Sequence, residues 1–373
     1  MKAAFLIESR EIIGGGFYSI FKFAEYLEKR GHEIHIFCAK FPLFFDKEKK
    51  QTLHITTRPS LRLNFRGGRI VERIFIRLYY RFHIKAQIRK LQPEMLFTYQ
   101  MMTPIRGERI IKNTNIKHCI FAFATPLWRD RVLVDYHFEI YFPKRQQRKW
   151  EKYKTACVTA DYVIAISHIS QTENEEWLGK KITGFVYPGV DRRELIKDVT
   201  KEEQVIYLGR LSRTKRVDMI IEALDLLESP PTLVICGGGE EGGSMRALAK
   251  KLKVKCDFKG PVTDDEKWKQ IQRSRCMLFP TAFEGFGMSP GEALIMGTPC
   301  ICSSLPVLKE VYEDAVTYFD DTKEDLAKKI GEVLNKTEDG SKGRKYILNK
   351  LSWDKSAEKI ERLLKMNLRK VGR

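Results

Sequence analysis

Two glutamates in the second half of the chain enclose a glycine-rich stretch of seven residues. Glu284 and Glu292 flank the sequence GFGMSPG. A carboxylate that accepts hydrogen bonds from two vicinal hydroxyls is a common way to hold ribose or hexose. The backbone N–H groups of Gly285, Phe286 and Gly287, in front of a helix N-terminus, are suited to an anion. This spacing therefore indicates a site for a sugar joined to a phosphate.

The elements around these glutamates are predicted from local signals. The apolar run 276–279 has the length of a strand, and Ser289 is predicted to cap a helix whose first residue is Pro290 and which ends before Gly297. The first glutamate then lies in the loop, and Glu292 lies in the first helical turn. Ser289-x-x-Glu292 is also the pattern of a capping box, which needs no ligand. Both interpretations stay open.

Further motifs give this pattern a family resemblance. The segment 284–292, followed by Ala293-Leu294 and Gly297-Thr298-Pro299, resembles the signature of the retaining glycosyltransferases of family 4, which have the GT-B fold. The other matching motifs are Gly14-Gly15-Gly16, Tyr187-Pro188-Gly189-Val190-Asp191, Gly209-Arg210-Leu211 with Lys215 and Val217-Asp218, and Ser352-Trp353. The resemblance is strong from about 186 to 312 and weak between 40 and 160.

The resemblance implies a role for each matched residue. Glu284 would contact the donor sugar and Glu292 the ribose, while Arg210 and Lys215 would face the leaving diphosphate, where negative charge builds up. The plainer interpretation of these two cations is exposed charge after a strand. The family also implies retention of anomeric configuration by same-face attack, with the nucleotide-sugar (GDP- or UDP-hexose) as substrate and no cofactor. Since no Asp-x-Asp sequence occurs, no metal is implied by that motif.

Length and periodicity predict two α/β domains. A chain of 373 residues is too long for one ordinary core, and strands alternate with helices in both halves. We expect two doubly wound sheets with a ligand cleft between them, because such sheets bind ligands beyond the carboxyl ends of their strands. The family resemblance implies the GT-B form of this α/β architecture, with two Rossmann-like domains facing across a cleft. The predicted domains are 1–190 on the acceptor side, with the loop Gly14–Gly16 as a substrate-binding element, and 191–354 on the nucleotide-sugar side. A helix at 355–373 is expected to pack back on the first domain, as in the family.

The positive charge is concentrated in the first half. Residues 1–190 hold 33 Lys and Arg against 18 Asp and Glu, whereas residues 191–373 hold 34 against 30. Much of the excess forms a band interleaved with apolar and aromatic residues, namely Arg62, Arg66, Arg69, Arg73, Arg77, Arg81, Lys85 and Arg89. A basic amphipathic helix of this kind suits an anionic membrane surface and a lipid-linked glycan acceptor. A solvated helix that packs on the domain remains the alternative.

The cysteines and the N-terminus favour a cytoplasmic protein. The eight cysteines are scattered, and the one close pair, Cys300 and Cys302, is expected to point to opposite faces of a strand, so neither a metal site nor a disulfide framework is predicted. The sequence opens on the predicted strand 3–7 and has no apolar run near ~18 residues. We therefore expect neither export nor a membrane span. The surface charge described above leads us to expect attachment to the inner face of the membrane.

One position departs from the family. Many members that build lipid-linked glycans carry a histidine before Thr-Pro in the N-terminal domain, where this chain has Ala124. The departure puts the acceptor-side chemistry and the activity itself in doubt. His118 lies six residues earlier, and His168 follows the predicted strand 163–166. Each is interpreted as a residue at the end of a strand rather than as a substitute.

Four other classes of function stay open. A sugar-nucleotide epimerase on this fold would need no acceptor, a phosphorylase would need a cofactor lysine that no motif identifies, and an inactive member would bind a nucleotide-sugar without turnover. A nucleic-acid-binding protein is compatible with an isoelectric point near 9.5. No zinc spacing, ribonucleoprotein motif or helix-turn-helix pattern accompanies the charge, so nucleic acid is not an expected partner.

Overall fold

The computed structural model describes residues 1–7, 14–38, 53–57, 75, 78–99, 102–123, 144–336 and 340–371. They fall into two compact units. The N-terminal unit comprises the described parts of Met1–Pro126, Tyr141–Val186 and Trp353–Arg373, and the C-terminal unit comprises those of Tyr187–Ser352.

The described part of the N-terminal unit contains one parallel sheet of seven strands. In chain order these are β1 Lys2–Ile7, β2 Glu33–Cys38, β3 Ile55–Thr57, β4 Met95–Tyr99, β5 Lys117–Ala122, β6 Tyr162–Ala165 and β7 Gly184–Phe185. Their order across the sheet is β3-β2-β1-β4-β5-β6-β7. The direction of winding reverses between β1 and β4, which is the arrangement of a doubly wound sheet. The glycine loop at Gly14 follows the strand at this point of reversal.

The helices of this unit connect successive strands. They are α1 Gly15–Lys29, a π-helix Tyr79–Ile84 that continues into α2 Lys85–Leu91, α3 Met102–Ile111, α4 Lys144–Thr159 and α5 His168–Leu178. The predicted strand–glycine loop–helix–strand unit over 3–38 is confirmed by β1, α1 and β2.

The C-terminal unit contains a second parallel sheet, of six strands. They are β8 Gln204–Leu208, β9 Thr232–Cys236, β10 Cys256–Gly260, β11 Cys276–Phe279, β12 Cys300–Ser303 and β13 Thr317–Phe319, in the order β10-β9-β8-β11-β12-β13. The helices are α6 Val217–Asp225, α7 Gly242–Leu252, α8 Asp264–Arg273, α9 Met288–Ile295, α10 Pro306–Tyr312, α11 Lys323–Leu334 and α12 Ser341–Lys350, with a short 3₁₀-helix Arg213–Lys215. Here winding reverses between β8 and β11.

The last helix, α13 Trp353–Val371, belongs to the N-terminal unit and packs on α1. Trp353 is 2% exposed, and its ring contacts those of Tyr18 and Phe23, with centroids 6.1 and 5.6 Å away. Further along the helix, the Glu361 carboxylate accepts two hydrogen bonds from the Arg30 guanidinium, at 2.9 and 3.0 Å. Aromatic burial and one bidentate ion pair therefore hold the two helices together.

We predict that this ion pair makes stability depend on acidic pH. The Arg30 guanidinium, followed by the His32 ring, lowers the pKa of Glu361 to about 2. A carboxyl whose pKa is lower in the folded state stabilises the fold at pH values above its ordinary pKa, and this contribution disappears as the pH falls to about 2. Glu361→Gln should therefore lower the free energy of unfolding at pH 7. The expected loss is only about 1–2 kcal/mol, because Arg30 is partly exposed and water screens the ion pair.

Urea unfolding of the parent and of Glu361→Gln between pH 7 and pH 2 measures this effect. The difference between the two proteins should be constant above pH 5 and shrink below it. A difference that stays constant down to pH 2 would show that the carboxylate charge is not what stabilises α13. The parent and the variant share the other contact of this helix, in which the Lys359 ammonium lies 3.4 Å from the centroid of the Phe185 ring.

The expectation that Cys300 and Cys302 point to opposite faces is wrong, because residues two apart in a strand share a face; their sulfurs lie 3.5 Å apart in the buried part of β12. The basic band lies mainly outside the described residues: only Lys85 and Arg89 have described side chains.

Among the helices that the structure describes, none combines the length and the apolar composition needed to cross a bilayer.

Candidate functional site

The predicted phosphate and sugar loops of the C-terminal unit follow two neighbouring strands. One loop begins at Gly209, directly after β8, and the other begins after β11 and contains Glu284. Since β8 and β11 are paired in parallel, both loops leave the same edge of the sheet. They do so where the strand order reverses, which is the place where doubly wound sheets bind ligands.

An ion pair joins these two loops. The Lys215 ammonium, at the end of the 3₁₀-helix, contacts the Glu284 carboxylate, and both side chains are largely buried at 23% and 15% exposure. The backbone also links the loops, because the Ala282 N–H donates to the Thr214 carbonyl at 2.9 Å. The sequence separates Lys215 and Glu284 by 69 positions, and the fold brings them into contact.

Arg210 has a different environment. It is exposed, and within the described part of the chain its guanidinium forms no ion pair. Its carbonyl accepts a hydrogen bond from the buried Tyr207 hydroxyl at 2.7 Å, which anchors the backbone of the loop. Burial, and then the Glu284 carboxylate, raise the pKa of Tyr207, so this hydroxyl remains a donor. The loop backbone is therefore fixed while the Arg210 side chain is available.

The loop after β8 packs directly on the glycine turn after β9. The Leu211 N–H donates to the Gly238 carbonyl at 3.1 Å, and the Gly209 N–H donates to the Cys236 carbonyl at 3.0 Å. A Cβ atom at Gly237 would lie only 1.9 Å from the Gly209 carbonyl oxygen. Only glycine allows this close approach of two backbones.

Glu292 pairs with a lysine that the sequence did not indicate. The Lys267 ammonium donates to the Glu292 carboxylate and to that of Asp264, at 3.0 Å each. Burial lowers the pKa of Lys267, but the carboxylates of Glu292 and Asp264 outweigh it, so that its pKa is raised overall. Lys267 therefore carries a positive charge between two negative ones. The ammonium also lies 4.2 Å from the centroid of the Trp268 ring.

The predicted start of the helix is wrong by two residues. Helix α9 begins at Met288 with Gly287, at φ 81°, as its cap, so Ser289 and Pro290 lie inside its first turn and Glu292 just beyond it. The Ser289 hydroxyl donates to the Leu208 carbonyl at 3.1 Å. The capping box is therefore not formed. The predicted end is confirmed, because Gly297 follows the helix with φ 67°.

The glycine segment ahead of α9 contains a buried aromatic residue. Phe286 is 2% exposed, and its ring packs between those of Tyr187 and Tyr312, with centroids 6.0 and 6.5 Å away. The side chain is thus part of the core. Of this segment, only backbone groups and the flanking carboxylates are suited to contact a ligand. Gly285 and Gly287 lie on either side of this buried ring.

The candidate residues of the N-terminal unit lie at the start of α1. Gly14 is the cap residue, and its carbonyl accepts from the Tyr18 N–H at 3.1 Å, while Gly15 and Gly16 form the first turn. Gly16 packs against the Phe123 ring, which a Cβ atom would approach to 2.8 Å. Ala124 lies outside the described residues.

The structure places the two histidines in different elements. His118 is buried in β5, bonds to the Thr98 hydroxyl at 2.9 Å, and has its pKa lowered to about 4 by burial. His168 is the first residue of α5, just after β6. Across the described ranges, no three or more His, Cys, Asp or Glu residues approach one another closely enough to hold a metal ion.

Two family models match the chain. The model described as Glycosyltransferase Family 4 matches residues 13–194, and the model described as Glycosyl transferases group 1 matches residues 191–350. Together they cover both units.

Curated relatives match at low identity. An uncharacterized glycosyltransferase of Methanocaldococcus jannaschii is 26% identical over 46% of this chain and 47% of its own length. The O-antigen chain mannosyltransferase RfbU of Salmonella typhimurium is 24% identical over 61% of this chain and 67% of its own. The matched stretch thus spans between about half and two thirds of these relatives.

Solved structures show that the fold is shared. Sucrose-phosphate synthase from Thermosynechococcus elongatus has a TM-score of 0.80 at 17% identity, covering 98% of this chain and 99% of its own. Anabaena HepE in complex with UDP and glucose has a TM-score of 0.74 at 16% identity, covering 98% and 100%. Such identities establish the fold alone, and the predicted GT-B class is confirmed. With both family models matched along the chain, this protein belongs to the group 1 glycosyltransferases, glycosyltransferase family 4.

Proposed function

We propose that the protein is a retaining hexosyltransferase. It transfers a mannose- or glucose-type hexose from a GDP- or UDP-linked donor to a glycan acceptor in the synthesis of cell-surface polysaccharide or glycolipid. The observation that carries this proposal is the contact of Lys215 with Glu284 where the strand order reverses, close in sequence to Glu292 on α9. A cation, which suits a phosphate, and a carboxylate, which suits sugar hydroxyls, are thus placed together. A donor that consists of a sugar joined to a phosphate requires both.

Relatives support the class of donor. RfbU is named an O-antigen chain mannosyltransferase, and HepE has been solved with UDP and with UDP-glucose. These names agree with a nucleoside diphosphate hexose.

The proposed reaction places developing negative charge next to the two cations. As the bond between the hexose C1 and the diphosphate oxygen breaks, its electron pair moves to the diphosphate, and Arg210 and Lys215 stabilise that charge. The acceptor hydroxyl attacks C1 from the same face and gives its proton to the leaving phosphate oxygen, so configuration is retained. No side chain has to serve as a base.

The carboxylates are proposed to hold hydroxyl groups. Glu284 would accept hydrogen bonds from the donor hexose, and Glu292 from the ribose hydroxyls. Lys215 and Lys267 contact these carboxylates and hold them in place. Binding then needs little rearrangement, which favours affinity.

Thermal denaturation in the presence of UDP-glucose, UDP-galactose, GDP-mannose and related compounds tests the proposal. A ligand that binds only the folded state raises the melting temperature. The donor found should then be turned over only with a glycan acceptor, with the configuration of the product read by NMR. Turnover without acceptor would indicate an epimerase, turnover dependent on inorganic phosphate a phosphorylase, and binding without turnover an inactive member.

The acceptor is proposed to be lipid-linked and reached from an anionic membrane. Two apolar side chains close to the basic band are exposed: Leu78, just before the π-helix, is 47% exposed, and Phe82, within it, is 62% exposed. Exposed apolar side chains next to basic ones suit a surface that inserts between lipid headgroups. Arg89 does not fit this role, because its guanidinium binds the carbonyls of Ile110 and Lys112 at 3.0 and 2.7 Å. The proposed docking surface therefore excludes Arg89.

Replacing Arg73, Arg77 and Arg81 by glutamine is expected to weaken binding to phosphatidylglycerol vesicles. Each basic residue near such a surface contributes about 1 kcal/mol, and salt screens this attraction over ~8–10 Å. Binding of the parent, measured by vesicle sedimentation, should fall steeply with added salt. The matched control replaces Lys250, Lys251 and Lys255, which are exposed in the C-terminal unit. Equal sedimentation of parent and arginine variant at low salt would contradict docking by this band.

A further inference from the structure

Tyr312 is the last residue of α10, and its hydroxyl contacts the backbone of the Glu284–Glu292 segment. Its side chain is fully buried. The hydroxyl donates to the Gly287 carbonyl and accepts from the Gly291 N–H at 3.1 Å. One side chain from a separate element thus bonds to both ends of the first turn of α9.

This position relates the hydroxyl to both carboxylates. Glu284 lies three residues before Gly287, and Glu292 directly follows Gly291. Helix α9 starts without a side-chain cap of its own, because its cap residue is a glycine. The Gly287 carbonyl and the Gly291 N–H are four residues apart, which is the spacing of the first hydrogen bond inside the helix. The Tyr312 hydroxyl binds both partners of that first hydrogen bond and so fixes where the turn lies.

The residue at position 291 leaves room for this contact. A Cβ atom at Gly291 would lie 3.2 Å from the Tyr312 hydroxyl oxygen and 2.7 Å from a methyl group of Val190. Glycine at this position therefore allows the hydroxyl to approach the backbone. Burial raises the pKa of Tyr312 well above its ordinary value, so the hydroxyl keeps its proton and remains a donor.

Two other tyrosines show what a purely structural role looks like. The Tyr318 hydroxyl donates to the Leu308 carbonyl at 2.9 Å, and the Tyr346 hydroxyl donates to the Val311 carbonyl at 2.7 Å. Both stabilise α10, and neither of these hydrogen bonds reaches the Glu284–Glu292 segment. They are matched controls for removing one tyrosine hydroxyl.

We propose that Tyr312 is a positioning residue of the donor site, which holds the loop and the first turn of α9 so that Glu284 and Glu292 face one ligand. The role in donor binding rests on the proposed function. The placement of the segment does not, so the two parts are tested separately. Tyr312→Phe keeps the ring that packs on Phe286 and removes only the hydroxyl.

Hydrogen exchange tests the placement without any ligand. In Tyr312→Phe, the amides of 285–292 should exchange about tenfold faster than in the parent, as expected for the loss of roughly one net hydrogen bond. The same amides should be unchanged in Tyr346→Phe. Equal exchange in Tyr312→Phe and the parent, or the same acceleration in Tyr346→Phe, would overturn the proposal.

Calorimetry with UDP and GDP tests the consequence for binding. Whichever nucleotide the parent binds should bind about tenfold more weakly to Tyr312→Phe and equally well to Tyr346→Phe. Faster exchange with unchanged nucleotide affinity would overturn the positioning role. If the parent binds neither nucleotide, the proposed function fails, whereas the exchange result still decides whether Tyr312 places the segment.

Discussion

Replacing Lys215 by methionine is expected to lower kcat by about a hundredfold to a thousandfold, because the charge that it stabilises is greatest in the transition state. Methionine keeps much of the length of the side chain and removes the charge. Donor affinity should fall much less than kcat. Arg210→Gln should have an effect in the same direction, since the exposed guanidinium is placed on the same loop. Steady-state kinetics with the donor identified by thermal denaturation, together with calorimetry, measure the two quantities separately.

Arg213→Gln is the matched control for this prediction. Arg213 lies in the same 3₁₀-helix as Lys215, but its side chain is 68% exposed and pairs with Glu241 at 3.3 Å. Its replacement should leave kcat within a few-fold of the parent. If Lys215→Met instead loses affinity and kcat/KM equally while kcat is preserved, Lys215 binds phosphate in the ground state and does not stabilise the leaving group.

Replacing Glu292 by alanine is expected to weaken nucleotide-sugar binding by roughly tenfold to a hundredfold. Hydrogen bonds to a charged acceptor contribute about 1.5–3 kcal/mol each, and the ribose hydroxyls would lose theirs. The melting temperature should change little, because Lys267 retains Asp264 as a partner at 3.0 Å. Isothermal titration calorimetry and thermal denaturation on the same samples measure both effects.

Glu332→Ala provides the comparison. Glu332 also pairs with a lysine, Lys329 at 3.3 Å, but on helix α11. Its loss should leave nucleotide affinity unchanged. An unchanged donor affinity in Glu292→Ala, accompanied by a falling melting temperature, would mean that Glu292 serves only to pair with Lys267 and that the ribose is held elsewhere.

Much of the candidate site could be predicted because its residues are local in sequence. Alternating strands and helices gave the α/β class, since apolar periodicity is set by each element on its own. Glu284, the glycines after it and Glu292 lie in one continuous segment, so their spacing alone placed them around a loop and a helix start. Gly297 was correctly placed beyond that helix because its left-handed backbone conformation is a local requirement.

The tertiary structure decided the partners of these residues. Ser289 was expected to cap α9, but Gly287 takes that position and Ser289 bonds to Leu208 instead. Lys267 stands 25 positions before Glu292, and Tyr312 stands 25 positions after Gly287. No local pattern reveals such pairs, because only the packing of parallel strands and their connecting helices brings distant segments together.

The sequence by itself therefore determined which residues are the candidates for the chemistry and in which order they occur. The structure decided which cation meets which carboxylate, with Lys215 at Glu284 and Lys267 at Glu292. The physical reason is that charge and spacing are properties of a segment, whereas a hydrogen bond or an ion pair needs contact within about 3–4 Å. Contacts at that distance between residues far apart in the chain exist only once the sheet has formed.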